Sequence, residues 1–184
     1  MSLPAMNFCP QCGTALRSEI PVGDNRLRHV CPSCGAIHYQ NPKLVVGCIP
    51  EWEDKILLCR RAIEPKYGFW TLPAGFMENG ETTAEGAARE TLEEAGARVD
   101  ILGLYSMISL PDINQVYLVF RAKLLHLDFA YGEESLEARL FSEAEIPWEE
   151  MAFRTIHHTL ERYYADRKTG AYGFHEGQIF HTPR

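Results

Sequence analysis

A mixed α and β fold behind a small cysteine-bound ribbon is what this sequence predicts, and three observations carry the prediction. Two matched C-x2-C pairs, Cys9/Cys12 and Cys31/Cys34, lie 18 residues apart near the start of the chain. Runs rich in β-branched and aromatic residues recur at 43–50, 55–62, 98–109 and 115–125, bounded by turn-forming residues. Between the second and third of these lies an alanine-rich segment, 82–95, with helical spacing and one acidic face. Strands on both sides of a helix give an α/β class; the pattern alone does not give the layering.

The totals set the bounds. A chain of 184 residues has room for one domain with a full core plus a small appendage. Apolar content of 46% and charged content of 23% are ordinary for a globular protein. The balance of 18 basic to 25 acidic residues gives −7, which argues against a non-specific nucleic-acid surface and sets the expectation of no nucleic-acid partner. A small polyanionic substrate stays open, because a bound metal can supply positive charge locally. The opening residues MSLPAMNFCPQCG lack a basic region followed by an apolar run, so no signal peptide is expected. No apolar stretch reaches the ~18 residues of a membrane span. A cytoplasmic location is the default expectation.

The cysteines come first along the chain. C-x2-C spacing lets two thiolates from one tight turn face the same ion, and each pair is followed by a glycine, Gly13 or Gly35. Two such turns predict a closed site of four thiolates, Cys9, Cys12, Cys31 and Cys34, in the tetrahedral form that suits structural Zn²⁺. Two redox motifs or two disulfides are the competing readings. His29 and His38 flank a site that is already complete and are read as surface residues. Cys48 and Cys59 sit in apolar runs and are expected to be buried small hydrophobes. Residues 39–42 (Tyr-Gln-Asn-Pro) read as a junction, giving a ribbon over 1–40 and a main domain over 41–184.

In the main domain, residues 43–50 and 55–62 flank Glu51-Trp52-Glu53-Asp54 and predict a hairpin. Residues 63–69 form a loop, and residues 70–74 a short strand that delivers Gly75 to the helix. Residues 98–109 and 115–125 predict two further strands, and 138–142 another. Residues 143–149, with Pro147 and Trp148, predict a turn or short helix. Apolar residues at 153, 156, 160, 163 and 164 predict a helix over 151–168, with His157 and His158 on its polar surface. The tail, 169–184, reads as irregular.

The acidic helix organises the rest. Thr82 with Glu85 three residues on predicts a capping box, and Gly96 a stop. Glu90, Glu93 and Glu94 share a face at i, i+3 and i+4. Three such carboxylates repel, so they need a counter-charge: hard Mg²⁺ or Mn²⁺, with Arg89 offsetting part and holding Glu81 as a bidentate partner. A solvated acidic face is the bland alternative for so short a cluster.

The pattern is much longer than that cluster. G-x5-E-x7-R-E-x-x-E-E-x-G runs unbroken from Gly75 to Gly96 and closely resembles the signature of the Nudix hydrolases. One position departs from it: the residue after Arg89-Glu90 is usually aliphatic and here is Thr91, whose methyl can face the core. The resemblance implies the Nudix α/β/α sandwich with a mixed sheet. It also implies metal-assisted hydrolysis of a P–O–P linkage, with Glu90 and Glu94 as chief metal ligands and Glu93 shared or water-mediated. The backbone carbonyl of Ala74 becomes a further ligand candidate, and Gly75, Glu81, Arg89 and Gly96 become supporting groups. Family members often add a base from a loop outside the helix. The acidic run 131–137 is its source here, with Glu137 preferred and Glu134 second; an exposed acidic turn is the competing reading.

The four-cysteine ribbon, Y-Q-N-P-K, W-T-L-P-A-G-F and E-S-L-E-A-R-L-F, in that order, resemble the zinc-ribbon branch that includes the plant-type ADP-ribose/FAD pyrophosphatases. Pro111 falls close to where ADP-ribose-cleaving members carry a proline. The S-Q-P-W-P-F-P-x-S stretch of NADH pyrophosphatases has no match at 105–112, so NADH ranks below ADP-ribose and FAD. For substrate contacts the candidates are Arg60, Arg61 and Lys66 for phosphates, and Trp70, Phe69 or Tyr67 for stacking on a base. The expectation is thus a Mg²⁺- or Mn²⁺-dependent pyrophosphatase with a structural Zn²⁺ and a small-molecule nucleotide substrate. No membrane partner is expected, and a homodimer is expected by family likeness. A non-catalytic nucleotide-sensing module, with the ribbon gripping a partner, is the reading from another class.

Overall fold

The computed structural model of the chain describes residues 6–180. The leader-free reading of the first five residues and the last four residues of the irregular tail lie outside the described residues. The chain divides into two compact units, Met1–Pro42 and Lys43–Arg184.

In the first unit, β1 (Arg17–Glu19), β2 (Arg28–Val30) and β3 (Ile37–His38) form a three-stranded antiparallel sheet. These strands are too short to leave an alternation in the sequence. Each cysteine turn closes identically: Gly13 N–H donates to the Cys9 carbonyl at 2.8 Å and Gly35 N–H to the Cys31 carbonyl at 3.0 Å. Both glycines sit in the left-handed region, at φ 72° and 73°, where only glycine is free of a Cβ penalty. That is why a glycine follows each pair.

The second unit runs β4 (Lys43–Trp52), β5 (Lys55–Arg61), β6 (Trp70–Thr71), β7 (Ala74–Phe76), α1 (Thr83–Ala95), β8 (Val99–Leu110), β9 (Gln115–Leu124), β10 (Ser135–Phe141), α2 (Arg154–Thr169) and β11 (His175–Gln178). Two 3-10 turns, Glu143–Glu145 and Trp148–Glu150, precede α2. The main sheet has the order β10-β5-β4-β9-β8-β11, with β6 added to β5 and β7 to β4. It is mixed: β4 runs parallel to β9 and β11 parallel to β8, while the other pairs are antiparallel.

Period-two alternation places a helix on each face. Along β5, Ile56 and Leu58 pack into a core with Ile156 and Leu160 of α2, whereas Leu57 and Cys59 pack with Ala95 at the end of α1. Along β9, Val119 joins the α2 core while Leu118, Phe120 and Ala122 join Val46, Cys48 and Ala87 of the α1 side. Side chains of alternating residues point to opposite faces, so the sheet is the middle layer of an α/β/α sandwich. No helix among the described residues is long and apolar enough to cross a membrane.

Four local expectations change. The single strand over 70–74 is two pieces, because Leu72-Pro73 hands the chain from one partner to another: β6 pairs β5, β7 pairs β4, and Pro73 has no N–H to continue a ladder. The β4–β5 hairpin is paired only near its turn, at Glu51↔Ile56 and Trp52↔Lys55. The first part of β4 takes β7 as its neighbour instead. The strand expected over 138–142 is β10, which begins at Ser135 and carries a register irregularity between Ser135 and Glu137. The tail contains β11, which lies parallel on β8 from His175↔Ser106 to Gln178↔Ser109. Its sequence, His-Glu-Gly-Gln, has no β-branched or aromatic signal; its pairing comes from the tertiary structure.

Candidate active site

The acidic helix α1 is fixed at both ends by its own sequence. Thr82 Oγ1 accepts from Glu85 N–H at 3.2 Å, and the Glu85 carboxylate accepts from Thr82 N–H at 2.8 Å, the reciprocal capping box. Gly96 ends the helix at φ 61°. Gly86, Ala87, Glu90, Thr91, Glu94 and Ala95 form its buried side, so two carboxylates share the inward face with small residues. Thr91 is fully buried, and its hydroxyl donates to the Ala87 carbonyl at 2.8 Å. A threonine therefore fits where an aliphatic residue is usual.

The glycine loop lies against this face. A side chain at Gly75 would overlap the Glu90 carboxylate; the absence of one lets the helix approach β7. The adjacent Ala74 N–H donates to Glu94 Oε2 at 3.1 Å. Arg89 ties the cluster together. Its Nε and Nη2 donate to Glu81 Oε2 and Oε1 at 2.9 and 2.7 Å. Its Nη1 donates to Glu90 Oε1 at 2.7 Å and to Glu93 Oε2 at 2.9 Å, and Nη2 also reaches the Phe76 carbonyl at 3.2 Å.

The charges separate accordingly. The Arg89 guanidinium, with help from the Glu78 N–H, holds the Glu81 carboxyl down to about 2. Burial pushes Glu94 up to about 8, against the Ala74 N–H, and the charges of Glu90 and Glu134 add to the rise. Burial also raises Glu90. One guanidinium does not neutralise this group of carboxylates, and the two buried ones, Glu90 and Glu94, have a raised proton affinity because burial disfavours their charge. Hard carboxylate oxygens are the donors that Mg²⁺ or Mn²⁺ favours, so the residues fit such an ion.

Glu90, Glu93 and Glu94 open onto a cavity of about 770 Å³, also lined by Ala74, Gly75 and Arg89. Glu133 and Glu134 line it from the loop before β10. That loop is tied to the helix and to the end of β5: Gly132 N–H donates to the Glu94 carbonyl at 3.1 Å, and Ala62 N–H to the Glu134 carbonyl at 2.8 Å.

The expected substrate contacts divide. Arg61 lines the cavity; it is buried, its Nε donates to the Pro65 carbonyl at 2.9 Å, and its guanidinium lies 5.0 Å from the centre of the Phe153 ring. Arg60 lies outside the cavity lining and donates to the Gly68 carbonyl at 2.9 Å. Trp70 is in the core, edge-on to Phe141 at 4.8 Å, and so is no stacking platform. Lys66, Tyr67 and Phe69 are also absent from the lining. Glu137, preferred over Glu134 as the outside base, sits within β10 opposite Arg60. The irregularity between Ser135 and Glu137 leaves Glu134, not Glu137, at the cavity. Sequence reasoning missed Tyr117, Phe153, Arg154 and Thr155, which also line the cavity. Only the apolar helical stripe through 153 hinted at them, and it reads as core.

The four ribbon cysteines place their sulfurs within 4.8 Å of one another, with Cys9–Cys34 at 3.7 Å and Cys12–Cys31 at 3.4 Å. Sulfurs bound tetrahedrally at about 2.3 Å from one Zn²⁺ stand roughly 3.8 Å apart, so the cluster fits that ion. His29 and His38 pair across β2–β3 and are not part of it. Cys48 and Cys59 are buried in the main domain, as expected.

Comparison with known proteins adds the family. Residues 41–163 match the NUDIX domain family and residues 7–40 the Nudix N-terminal zinc ribbon. The chain is similar to a NUDIX hydrolase of Nitrosomonas europaea, whose crystal structure superimposes with a TM-score of 0.93 at 62% identity over 95% of this chain and 99% of that one. It is 33% identical to an ADP-ribose pyrophosphatase of Methanocaldococcus jannaschii over 113 residues, 59% of this chain and 67% of that one. It is 32% identical to the NAD-capped RNA hydrolase NudC of Chromobacterium violaceum over 163 residues, 87% of this chain; the match spans 58% of that relative's length. The chain belongs to the Nudix hydrolases, as a NUDIX domain that follows a Nudix zinc ribbon.

Proposed function

We propose that the protein is a Mg²⁺- or Mn²⁺-dependent pyrophosphatase that hydrolyses the diphosphate of ADP-ribose, FAD or both, releasing AMP. The observation that carries this reading is the convergence of Glu90 and Glu93, held by Arg89, and Glu94, held by the Ala74 N–H, on a cavity of about 770 Å³, a volume suited to a nucleotide-sized ligand.

Glu90 and Glu94 would hold the divalent ion, with Glu93 and the Ala74 carbonyl as further ligands. When bound, the ion offsets diphosphate charge and lowers the pKa of its water. Arg89 and Glu81 orient the carboxylates. Glu134, which lines the cavity, would accept a proton from the attacking water, and Arg61 would meet a phosphate oxygen. The ribbon cysteines would hold a structural Zn²⁺. A ribbon over 1–40 and a main domain over 41–184 are part of this reading, and a homodimer is proposed on family likeness.

The Methanocaldococcus relative supports ADP-ribose. The NudC relative favours a second reading, an NAD-type dinucleotide or an NAD-capped RNA end, and runs against the expectation of no nucleic-acid partner. The missing S-Q-P-W-P-F-P-x-S stretch at 105–112 supports the first.

The test is incubation with Mg²⁺ and ADP-ribose, FAD, NADH, NAD-capped RNA and nucleoside triphosphates, with products resolved by chromatography. AMP from ADP-ribose or FAD supports the proposal. Cleavage confined to NADH or capped RNA moves the assignment to the second reading. Metal binding without cleavage of any of them would leave a sensing module.

A further inference from the structure

Strand β11 leads the chain to the cavity although its own sequence does not specify a strand. It is a four-residue edge strand on β8 with no β-branched residue and with a glycine at 177. Just past it, Ile179 N–H donates to the Ser109 carbonyl at 2.9 Å, and Ile179 lines the cavity with Leu110 and Ile113. The next carbonyl, that of Phe180, accepts from Nη1 of Arg154, another lining residue, at 3.0 Å. The tail is therefore part of the cavity wall, and whatever seats β11 fixes where Ile179 stands.

A single carboxylate on α2 does the seating. Asp166 Oδ2 accepts from the Tyr105 hydroxyl at 3.0 Å, from Gly173 N–H at 3.2 Å and from His175 Nε2 at 2.7 Å. An ionised carboxylate only accepts, so His175 carries a proton on Nε2. Tyr105 belongs to β8, whereas Gly173 and His175 belong to the tail, His175 as the first residue of β11. One oxygen thus joins the helix, the supporting strand and the tail. His175, with Tyr105 and the Gly173 N–H, holds the Asp166 carboxyl below its ordinary value. The helix itself gains nothing from this charge. Asp166 lies in the last turn of α2, where the negative end of the helix dipole disfavours an anion. It is also absent from the cavity lining, so it acts through the tail.

We propose that Asp166 is a positioning residue for the hydrolase site, a latch that seats the tail on α2 and β8 and so holds Ile179 and Arg154 in the cavity wall. The proposal rests on reading the cavity as the nucleotide site. The carboxylates that would bind metal stand on the other helix, α1. Loss of the latch should therefore loosen the wall against which substrate rests and leave the metal helix in place. Such a change weakens ground-state and transition-state binding alike, which raises KM at constant kcat.

The test uses the full, zinc-loaded chain with Mg²⁺ and the nucleotide that the wild type cleaves best. Asp166→Ala removes the shared acceptor and keeps a good helix former. It is expected to raise KM about ten-fold with kcat within about two-fold of wild type. Hydrogen exchange should show lost protection at the Ile179 amide and along β11, with the amides of α1 unchanged. Asp166→Asn keeps the shape and one amide oxygen, and should fall between the two. Ile179→Ala should raise KM as well, and combining it with Asp166→Ala should give less than the product of the two effects, because both act through one side chain. If Asp166→Ala does not fold, Asp166→Asn and His175→Ala carry the same readouts. Unchanged KM in a folded latch variant would overturn the proposal, as would unchanged protection of β11, a fall in kcat at constant KM, or effects that multiply in full. Equal loss of protection in α1 would mean general loosening and overturn it too. Any of these in an enzyme that cleaves ADP-ribose or FAD leaves the proposed function standing; a wild type that cleaves no nucleotide overturns both.

Discussion

Arg89 grips Glu81 through two parallel hydrogen bonds, Nε to Oε2 at 2.9 Å and Nη2 to Oε1 at 2.7 Å. The remaining nitrogen, Nη1, is thereby aimed at Glu90 and Glu93. Glu81 lies outside the helix and is itself fixed by the Glu78 N–H at 2.7 Å, so it serves as the anchor and Arg89 as the lever. Lysine supplies one charge but cannot make the two-pronged contact. Arg89→Lys is therefore expected to fold, yet to lose about 10- to 100-fold in divalent-metal affinity or turnover. Titration with Mn²⁺ and steady-state rates check this; wild-type values would show that Arg89 only balances charge.

The buried carboxyl at Glu94 gives a pH signature in the metal-free protein. Its folded pKa of about 8 stands above the ordinary value of 4.5. The folded state thus holds a proton that the unfolded chain releases between those values. Stability should be greatest at the acid end of that window and fall as pH rises from about 4.5 to 8. Glu90, raised by burial as well, adds to the same trend. Melting curves of the zinc-loaded protein without Mg²⁺ or Mn²⁺ across this range check it, and Glu94→Gln should flatten the slope. Because metal binding needs the ionised carboxylates, Mg²⁺ titration near neutral pH should release protons.

Close approach at Gly132 couples the acidic loop to the helix. A Cβ there would run into the carbonyl oxygen of Glu93, a backbone atom that cannot swing away. Gly132→Ala is expected to cost about 1–3 kcal/mol and to lower turnover by shifting Glu133 and Glu134. Gly170 supplies the control. It ends α2 at φ 70° with nothing near an added Cβ, so Gly170→Ala should cost only the ~1 kcal/mol of left-handed backbone strain and leave activity intact. Chemical denaturation and rate measurements separate the two effects.

The ribbon makes a separate prediction. The cysteine sulfurs already stand at metal-bridging separations, and the sheet of the first unit consists of strands of only two or three residues. Among the described residues this unit contributes to no hydrophobic core cluster that could hold it together without the ion. Cys31→Ser should abolish binding of about one zinc per chain and lower stability or solubility. Turnover of the surviving folded enzyme should be largely unchanged. Metal analysis beside activity decides the matter: loss of turnover in a well-folded, zinc-free variant would place the ribbon in substrate binding.

What the sequence disclosed follows a physical division. Local chemistry was legible: the Thr82–Glu85 capping box, the Gly96 stop, the Glu81–Arg89 clamp and the cysteine turns each depend on residues close along the chain. Contacts set by distant strands were not. Trp70 looks like a binding aromatic in a one-dimensional reading, and only its pairing with β5 and packing on Phe141 show that it is core. β11 carries no strand signal because β8 supplies its partner. Phe153 fits an apolar helical stripe, but lies just before the helix, at the cavity.

The acidic loop shows the same division at a single position. Residues 131–137 present several carboxylates with no defining spacing, and proximity to the following strand favoured Glu137. The register irregularity between Ser135 and Glu137 changes that assignment: Glu137 pairs opposite Arg60 within the sheet, while Glu134 lines the cavity. The charge of Glu134 is also felt by both Glu90 and Glu94, which places it near the carboxylates that would hold the metal. A base must lie within reach of the water it deprotonates, and geometry takes precedence over chemical type. Glu134→Gln is expected to lower kcat by about 10²–10⁴-fold with little change in stability. Glu137→Gln, by contrast, should stay close to wild type. Side-by-side steady-state rates and melting temperatures check the assignment. A loss of kcat in Glu134→Gln alone supports it, and an equal loss in Glu137→Gln would return the base to the strand.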